Sequence, residues 1–176
     1  MIQAKVPEGL PQWMSDHVDR YLKSGGKDGH MYTIKPPGMD KQITVPALLL
    51  VTKGRKSGEK YLFPLFYGDT DNGGYYIVAS KGGAPDHPGW YKNLTANPEV
   101  EVQVGTKTVK ARARTVSGPE RAKLWDGALK FWPPYADFRA LKKAGVSAID
   151  IDFGGRSTAD EILTEMKRFR AAVIEK

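Results

Sequence analysis

Glu99-Val100-Glu101-Val102-Gln103-Val104-Gly105-Thr106-Lys107-Thr108-Val109-Lys110-Ala111-Arg112-Ala113-Arg114-Thr115-Val116 is the stretch on which the fold turns. Val100, Val102 and Val104 alternate with polar residues, the period of a strand with one buried face. Gly105-Thr106 fits the two-residue loop of a hairpin. On the return, Val109, Ala111 and Ala113 oppose Lys110, Arg112 and Arg114, so the pair is antiparallel. Upstream, Pro46 to Thr52 is a nearly continuous apolar run, as expected of a strand covered on both faces. Tyr61 to Tyr67 reads as another strand, with Pro64 confined to an edge or bulge. After the turn cluster Asp69 to Gly74, Tyr75 to Ser80 forms a third. Ile149 to Phe153 reads as the last.

Helices frame these strands. Leu10 to Ser24 carries Leu10, Trp13, Met14, Val18, Tyr21 and Leu22 on one stripe and stops at Gly25-Gly26. Gly29 to Gln42 reads as a loop or arm. Pro88 to Asn97 is a short helix. Ser117-Gly118-Pro119-Glu120 has the form of a capping box, opening a helix to Phe131. Tyr135 to Lys143 and a terminal segment after Thr158 read as two more. Without regular βαβ alternation, the fold class is α+β, a small barrel with peripheral helices. Residues 1–44 form an N-terminal helix and arm, 45–153 the barrel, and 154–176 a C-terminal helix of the same domain.

The 176 residues carry 27 Lys+Arg against 20 Asp+Glu, a net charge of +7, and no cysteine. Disulfides, thiolate metal sites and a Cys nucleophile are thereby excluded, and the three His have no metal-ligand spacing. The apolar run at Val45–Val51 is too short to span a bilayer. No signal peptide is evident, so a cytoplasmic location is expected. The basic balance suits an anionic partner. Nucleic acid ranks last, because aromatics do not interleave with the Lys/Arg stripe.

Three segments carry candidate chemistry. Lys53-Gly54-Arg55-Lys56-Ser57-Gly58 places three cations within four residues, with Arg55, Lys56 and the Ser57 hydroxyl between two glycines, a compact anion site or else an exposed basic turn. Ala79-Ser80-Lys81-Gly82-Gly83-Ala84-Pro85-Asp86-His87-Pro88-Gly89-Trp90-Tyr91-Lys92-Asn93-Leu94 ends a strand on two glycines and enters a helix. There a flat ring or phosphate fits against bare backbone, and Trp90 and Asn93 share a helix face. Trp132-Pro133-Pro134-Tyr135-Ala136-Asp137-Phe138 spaces aromatics three apart, either core packing or the wall of a cleft.

These segments, with Pro64-Leu65 and Ala96-Asn97-Pro98, resemble the deazaflavin (F420)-dependent nitroreductase family, among the split β-barrel flavin/deazaflavin oxidoreductases. The likeness runs from about Val45 to Phe138. It implies a split β-barrel of the FMN-binding type that binds F420. Arg55, Lys56 and Ser57 would hold its phosphate and acidic tail, and Lys53 is a further cofactor-binding residue. Pro64, Leu65, Ala79, Ser80, Lys81, Gly82 and Gly83 would border the deazaflavin, with Trp90 and Asn93 behind. FMN would use the same phosphate site and is the alternative cofactor.

In the family the acceptor wall is Tyr-Pro-Pro-Tyr-x-x-Tyr; here Trp132 and Phe138 replace the outer tyrosines and Tyr135 alone keeps its hydroxyl. The expected reaction is hydride transfer from reduced F420 to an activated alkene, quinone or nitro compound. Ser80 and Tyr135 are the expected catalytic residues, and Trp132, Tyr135 and Phe138 the substrate wall. A non-catalytic F420 carrier is the other alternative. In relatives the N-terminal helix shields the site or touches membrane. Asp16 and Asp19 favour shielding, with weak membrane contact as the lesser reading. Monomer and homodimer both remain open.

Overall fold

Leu48, Leu49, Leu50 and Val51 are all buried because two different cores flank their strand. Leu48 and Leu50 face the barrel interior with Ile77, Val100, Val102, Ala111 and Ala113. Leu49 and Val51 face outward, against Ile2, Val18, Tyr21 and Leu62. Each leucine so buried contributes roughly 1.5–3 kcal/mol. The computed structural model describes residues 2–36, 38–83, 86–139 and 148–152. In chain order these form α1 (Gln12–Lys23), β1 (Met31–Ile34), β2 (Ile43–Lys53), β3 (Lys60–Asp69), β4 (Tyr75–Val78), α2 (Gly89–Ala96), β5 (Glu99–Val104), β6 (Lys107–Thr115), α3 (Gly118–Phe131), a 3₁₀ segment (Pro133–Arg139) and β7 (Ala148–Asp152).

All strand pairs are antiparallel. The order β2-β3-β4-β7-β6-β5 closes on itself because β2 pairs with β3 (Leu48↔Leu65) and also with β5 (Leu48↔Val104). Strand β7 completes the ring, Ile151 lying opposite both Tyr75 and Ala113. This is the split barrel that the family resemblance implies, and the small barrel read from the alternating strands. Pro64 is tolerated because β4 pairs with β3 only from Tyr67 onward.

Two contacts dock α1 on the barrel. Tyr21 Oη accepts a hydrogen bond from the Gly105 amide at 2.8 Å and donates to the Ala47 carbonyl at 3.2 Å. Gly26, at φ +88°, lies so close to the hairpin loop that a Cβ would sit 1.8 Å from the Gly105 oxygen. Helix α3 covers the opposite side, burying Leu124 and Ala128 against Tyr76, Val78 and Val116.

Three expectations differ from the structure. The stretch Gly29–Gln42 contains β1, which pairs with the start of β2 (Tyr32↔Val45, Ile34↔Ile43) and adds a Thr33–Thr44 hydroxyl bond of 2.9 Å. Four residues are too few to show a period. Ser117 occupies the N-cap of α3 without a side-chain cap, and Glu120 instead takes the Arg114 guanidinium. Two prolines, lacking N–H donors, start a 3₁₀ turn where an α-helix from Tyr135 was expected. The rest of that segment, 140–143, and the C-terminal helix after 154 lie outside the described residues.

Candidate active site

A groove of about 1120 Å³ runs between the N-terminal segment with α1, the β2–β3 turn, β3, the turn after β4, α2 and the Pro133–Arg139 segment. At one end the basic turn is a closed structure. The Gly54 amide donates to the Glu59 carbonyl at 2.7 Å, and the Gly58 amide donates to the Gly54 carbonyl at 2.8 Å. A Cβ on Gly54 would sit 2.6 Å from Ser57 Oγ. Arg55, Lys56 and Ser57 are exposed and line the groove.

Asn93, 7% exposed, reaches this turn from α2. Its Oδ1 accepts from the Arg55 amide at 3.3 Å and from Arg55 Nη1 at 3.1 Å, while its Nδ2 donates to Thr52 Oγ1 at 3.3 Å. Lys53 ends β2 on the solvent side and is absent from the groove wall. The cationic strand residues Arg112 and Arg114 also lie elsewhere, paired with Glu99 and Glu120.

A second part of the groove is bordered by β3 and the turn after β4. Pro64 and Leu65 line it with Tyr61, Phe63, Ser80, Lys81 and Gly82. A Cβ at Gly82 would meet nothing within 4 Å, so bare main chain borders the space. Lys81 takes a left-handed backbone, φ +45°, which costs a non-glycine residue on the order of 1–3 kcal/mol. Its ammonium pairs with Asp86 at 2.6 Å, and Lys92 joins the same carboxylate at 3.1 Å. The hydrogen bonds from Lys81 and Lys92 hold the Asp86 carboxyl down at about 2. Trp90, 5% exposed, backs the groove from α2. Gly83 continues the turn. Ala79 departs from its expected role: its side chain is buried among Leu48, Leu50 and Ile77.

At the far end stand Trp132, Pro134 and Tyr135. Tyr135 is 5% exposed and shares a hydrogen bond with the Ser80 side chain. Burial pushes its phenol well above the ordinary tyrosine range, the Ser80 bond opposing the shift. It stays protonated at any physiological pH. The Phe138 side chain lies outside the described residues. Leu10, Trp13, Met14 and His17 complete the wall from the N-terminal side. Sequence reasoning did not place them there individually, although Trp13 and Met14 on an apolar stripe were the available signal.

The open Gly82 edge beside a preformed cationic turn fits a flat ring with an anionic appendage. Fold and groove together define a split-barrel oxidoreductase of the flavin/deazaflavin type. A family model of F420H(2)-dependent quinone reductases matches residues 13–147. An F420H(2)-dependent quinone reductase of Mycobacterium tuberculosis is 37% identical over 127 residues, which is 66% of this chain and 78% of that protein. The solved structure of an F420-H2 dependent reductase, FDR-A, superposes with a TM-score of 0.56 at 41% identity, covering 61% of this chain and 94% of that one. A second structure, described as a domain-swapped dimer, gives 0.57 at 35% identity, covering 80% and 97%. The chain belongs to the F420H(2)-dependent quinone reductase family: it is an oxidoreductase, and its cofactor is F420. Charge alone had left F420 and FMN unseparated.

Proposed function

We propose that this chain reduces quinones in the groove between α1 and the Ser80–Gly82 turn, activated alkenes and nitro compounds being secondary acceptors. One observation carries the assignment: the cationic turn, the open glycine edge and the Tyr135–Ser80 pair share a single groove. Arg55, Lys56 and Ser57 would hold the phosphate and acidic tail of F420, with Arg55 offering a planar fork to an oxyanion. Pro64, Leu65 and Gly82 would sandwich the ring, and Lys81 would hold its polar edge. The chemistry that F420 supplies when reduced and bound is hydride donation.

The protein's residues do the remainder. Trp13, Met14, Phe66 and Trp132 exclude water from the acceptor. The Ser80 hydroxyl, bonded to a phenol that keeps its proton, is placed to donate a hydrogen bond to an oxygen gaining charge. Anaerobic turnover of reduced F420 with a panel of quinones, enones and nitroaromatics tests this. Faster oxidation with quinones than with the other classes supports it; no acceptor-dependent oxidation at all overturns it and favours a carrier.

A further inference from the structure

Arg121, Leu124, Trp125 and Ala128 share one face of α3, the spacing of a buried stripe. Leu124 and Ala128 fill their places with apolar side chains. Arg121, 9% exposed, sets a cation in the same stripe, and burial lowers its pKa. Its guanidinium carbon stands 5.5 Å from the ring centre of Trp125, one turn further on, within reach of a cation–π contact. Trp125 in turn stacks on Tyr135, with centroids 5.9 Å apart and planes 28° from parallel. Tyr135 bonds to the Ser80 side chain and lines the groove, whereas Trp125 is absent from the groove wall. The series Arg121, Trp125, Tyr135, Ser80 thus leads from inside α3 to the groove.

Tyr135 needs such support. Its backbone belongs to a 3₁₀ segment hung on the end of α3. The Trp132 amide donates to the Ala128 carbonyl at 2.9 Å, and the Tyr135 amide donates to the Trp132 carbonyl at 3.0 Å. Those bonds fix the main chain and leave the attitude of the phenol ring to the side chains around it. Phe131 and Trp132 meet that ring at steep angles, 81° and 62°. Trp125 lies nearly parallel to it, and a stacked face resists tilting of the ring. The stakes are geometric, since a shift of about 1 Å is enough to misplace a reacting group. Trp132 is also part of the groove wall and meets whatever occupies it; Trp125 stands behind the wall.

We propose that Trp125 is a positioning residue for the Tyr135–Ser80 pair, with Arg121 holding the indole in place. This deepens the proposed function and rests on Tyr135 acting in turnover. The indole does not meet the acceptor. It fixes the angle at which the phenol meets Ser80, and so the aim of the Ser80 hydroxyl. Its loss therefore shows in the rate of the bound complex and not in the binding of F420.

A double-variant cycle on the full-length, F420-loaded protein tests this. Single-turnover oxidation of bound reduced F420 by saturating menadione is followed anaerobically for wild type, Trp125→Leu, Tyr135→Phe and the double variant. F420 affinity and thermal melting are measured for each. Trp125→Leu should slow the turnover about 2- to 13-fold, the worth of one aromatic pair, with the Kd for F420 unchanged. Trp125→Phe keeps a ring to stack and should recover most of that loss. In the Tyr135→Phe background Trp125→Leu should cost no further rate, although it lowers the melting temperature in both backgrounds. Should the leucine variant fail to fold, Trp125→Met, an unbranched filler, takes its place in the cycle. Equal slowing in both backgrounds, or a Trp125→Leu protein as fast as wild type, overturns the proposal and makes Trp125 core packing. A Tyr135→Phe protein as fast as wild type, or a wild type without turnover, sinks the proposed function first and this proposal with it.

Discussion

Asn93→Ala should weaken F420 binding through Arg55 rather than through a contact of its own. In the folded protein Asn93 Oδ1 holds both the amide and the guanidinium of Arg55, and Nδ2 holds Thr52 Oγ1. Arg55 is exposed, so without this clamp its side chain is free until ligand orders it. Ordering a long side chain costs about 0.5–1.5 kcal/mol, a roughly 2- to 13-fold rise in Kd. Thr52 is wholly buried, and stripping its partner should lower unfolding stability by about 1–3 kcal/mol. The assay is F420 titration of wild type, Asn93→Ala, Arg55→Ala and the double variant, with denaturant unfolding of each. If Asn93 works by positioning Arg55, it has nothing left to lose in the Arg55→Ala background, and the coupling equals most of the Asn93→Ala effect. Binding losses that add to within about 0.5 kcal/mol would refute the reasoning.

Further consequences can be measured on the same protein. Gly26→Ala puts a Cβ into the Gly105 carbonyl at an unfavourable φ; we expect more than about 2 kcal/mol of lost stability and weaker acceptor binding as α1 lifts, seen by thermal melts and KM. His17, whose ionisation is depressed by burial below 6.5, makes the unfolded chain bind more protons than the folded one. Its contribution is therefore full above pH 6.5 and is lost as pH falls below it. His17→Gln should flatten the stability–pH curve below about pH 6.5, and an unchanged slope would contradict the assignment. Tyr135→Phe should leave F420 affinity nearly unchanged and lower kcat more than it raises KM.

The barrel was legible because its strands carry strong periodicity. Val100–Val104 and Val109–Ala113 announce a hairpin, and the unbroken Val45–Val51 run announces a strand with two covered faces. Strand β1 was not legible, since Met31–Ile34 is short and acquires its pairing only from the free edge at Ile43–Pro46. The closing role of Ile149–Asp152 depends on a slot between β4 and β6 that exists only in three dimensions. In the site, Arg55–Ser57, Ser80–Gly82, Trp90 and Tyr135 line one groove. Ala79 sits in the same motif yet points inward, because alternate residues along β4 and its extension face opposite sides. Lys53 falls outside the wall because the groove begins one residue later, at Gly54.

On the proposed reading, a ring lies along Gly82 while Arg55 and Lys56 hold its acidic tail. The most direct measurement is equilibrium titration with oxidised F420 and with FMN, on wild type and on Arg55→Glu/Lys56→Glu. F420 should bind more tightly than FMN, and the charge-reversed protein should lose F420 affinity by about 100-fold or more, as expected for about 3 kcal/mol from two charge-assisted contacts. F420 binding that is equally tight in both proteins, or a preference for FMN, would contradict it.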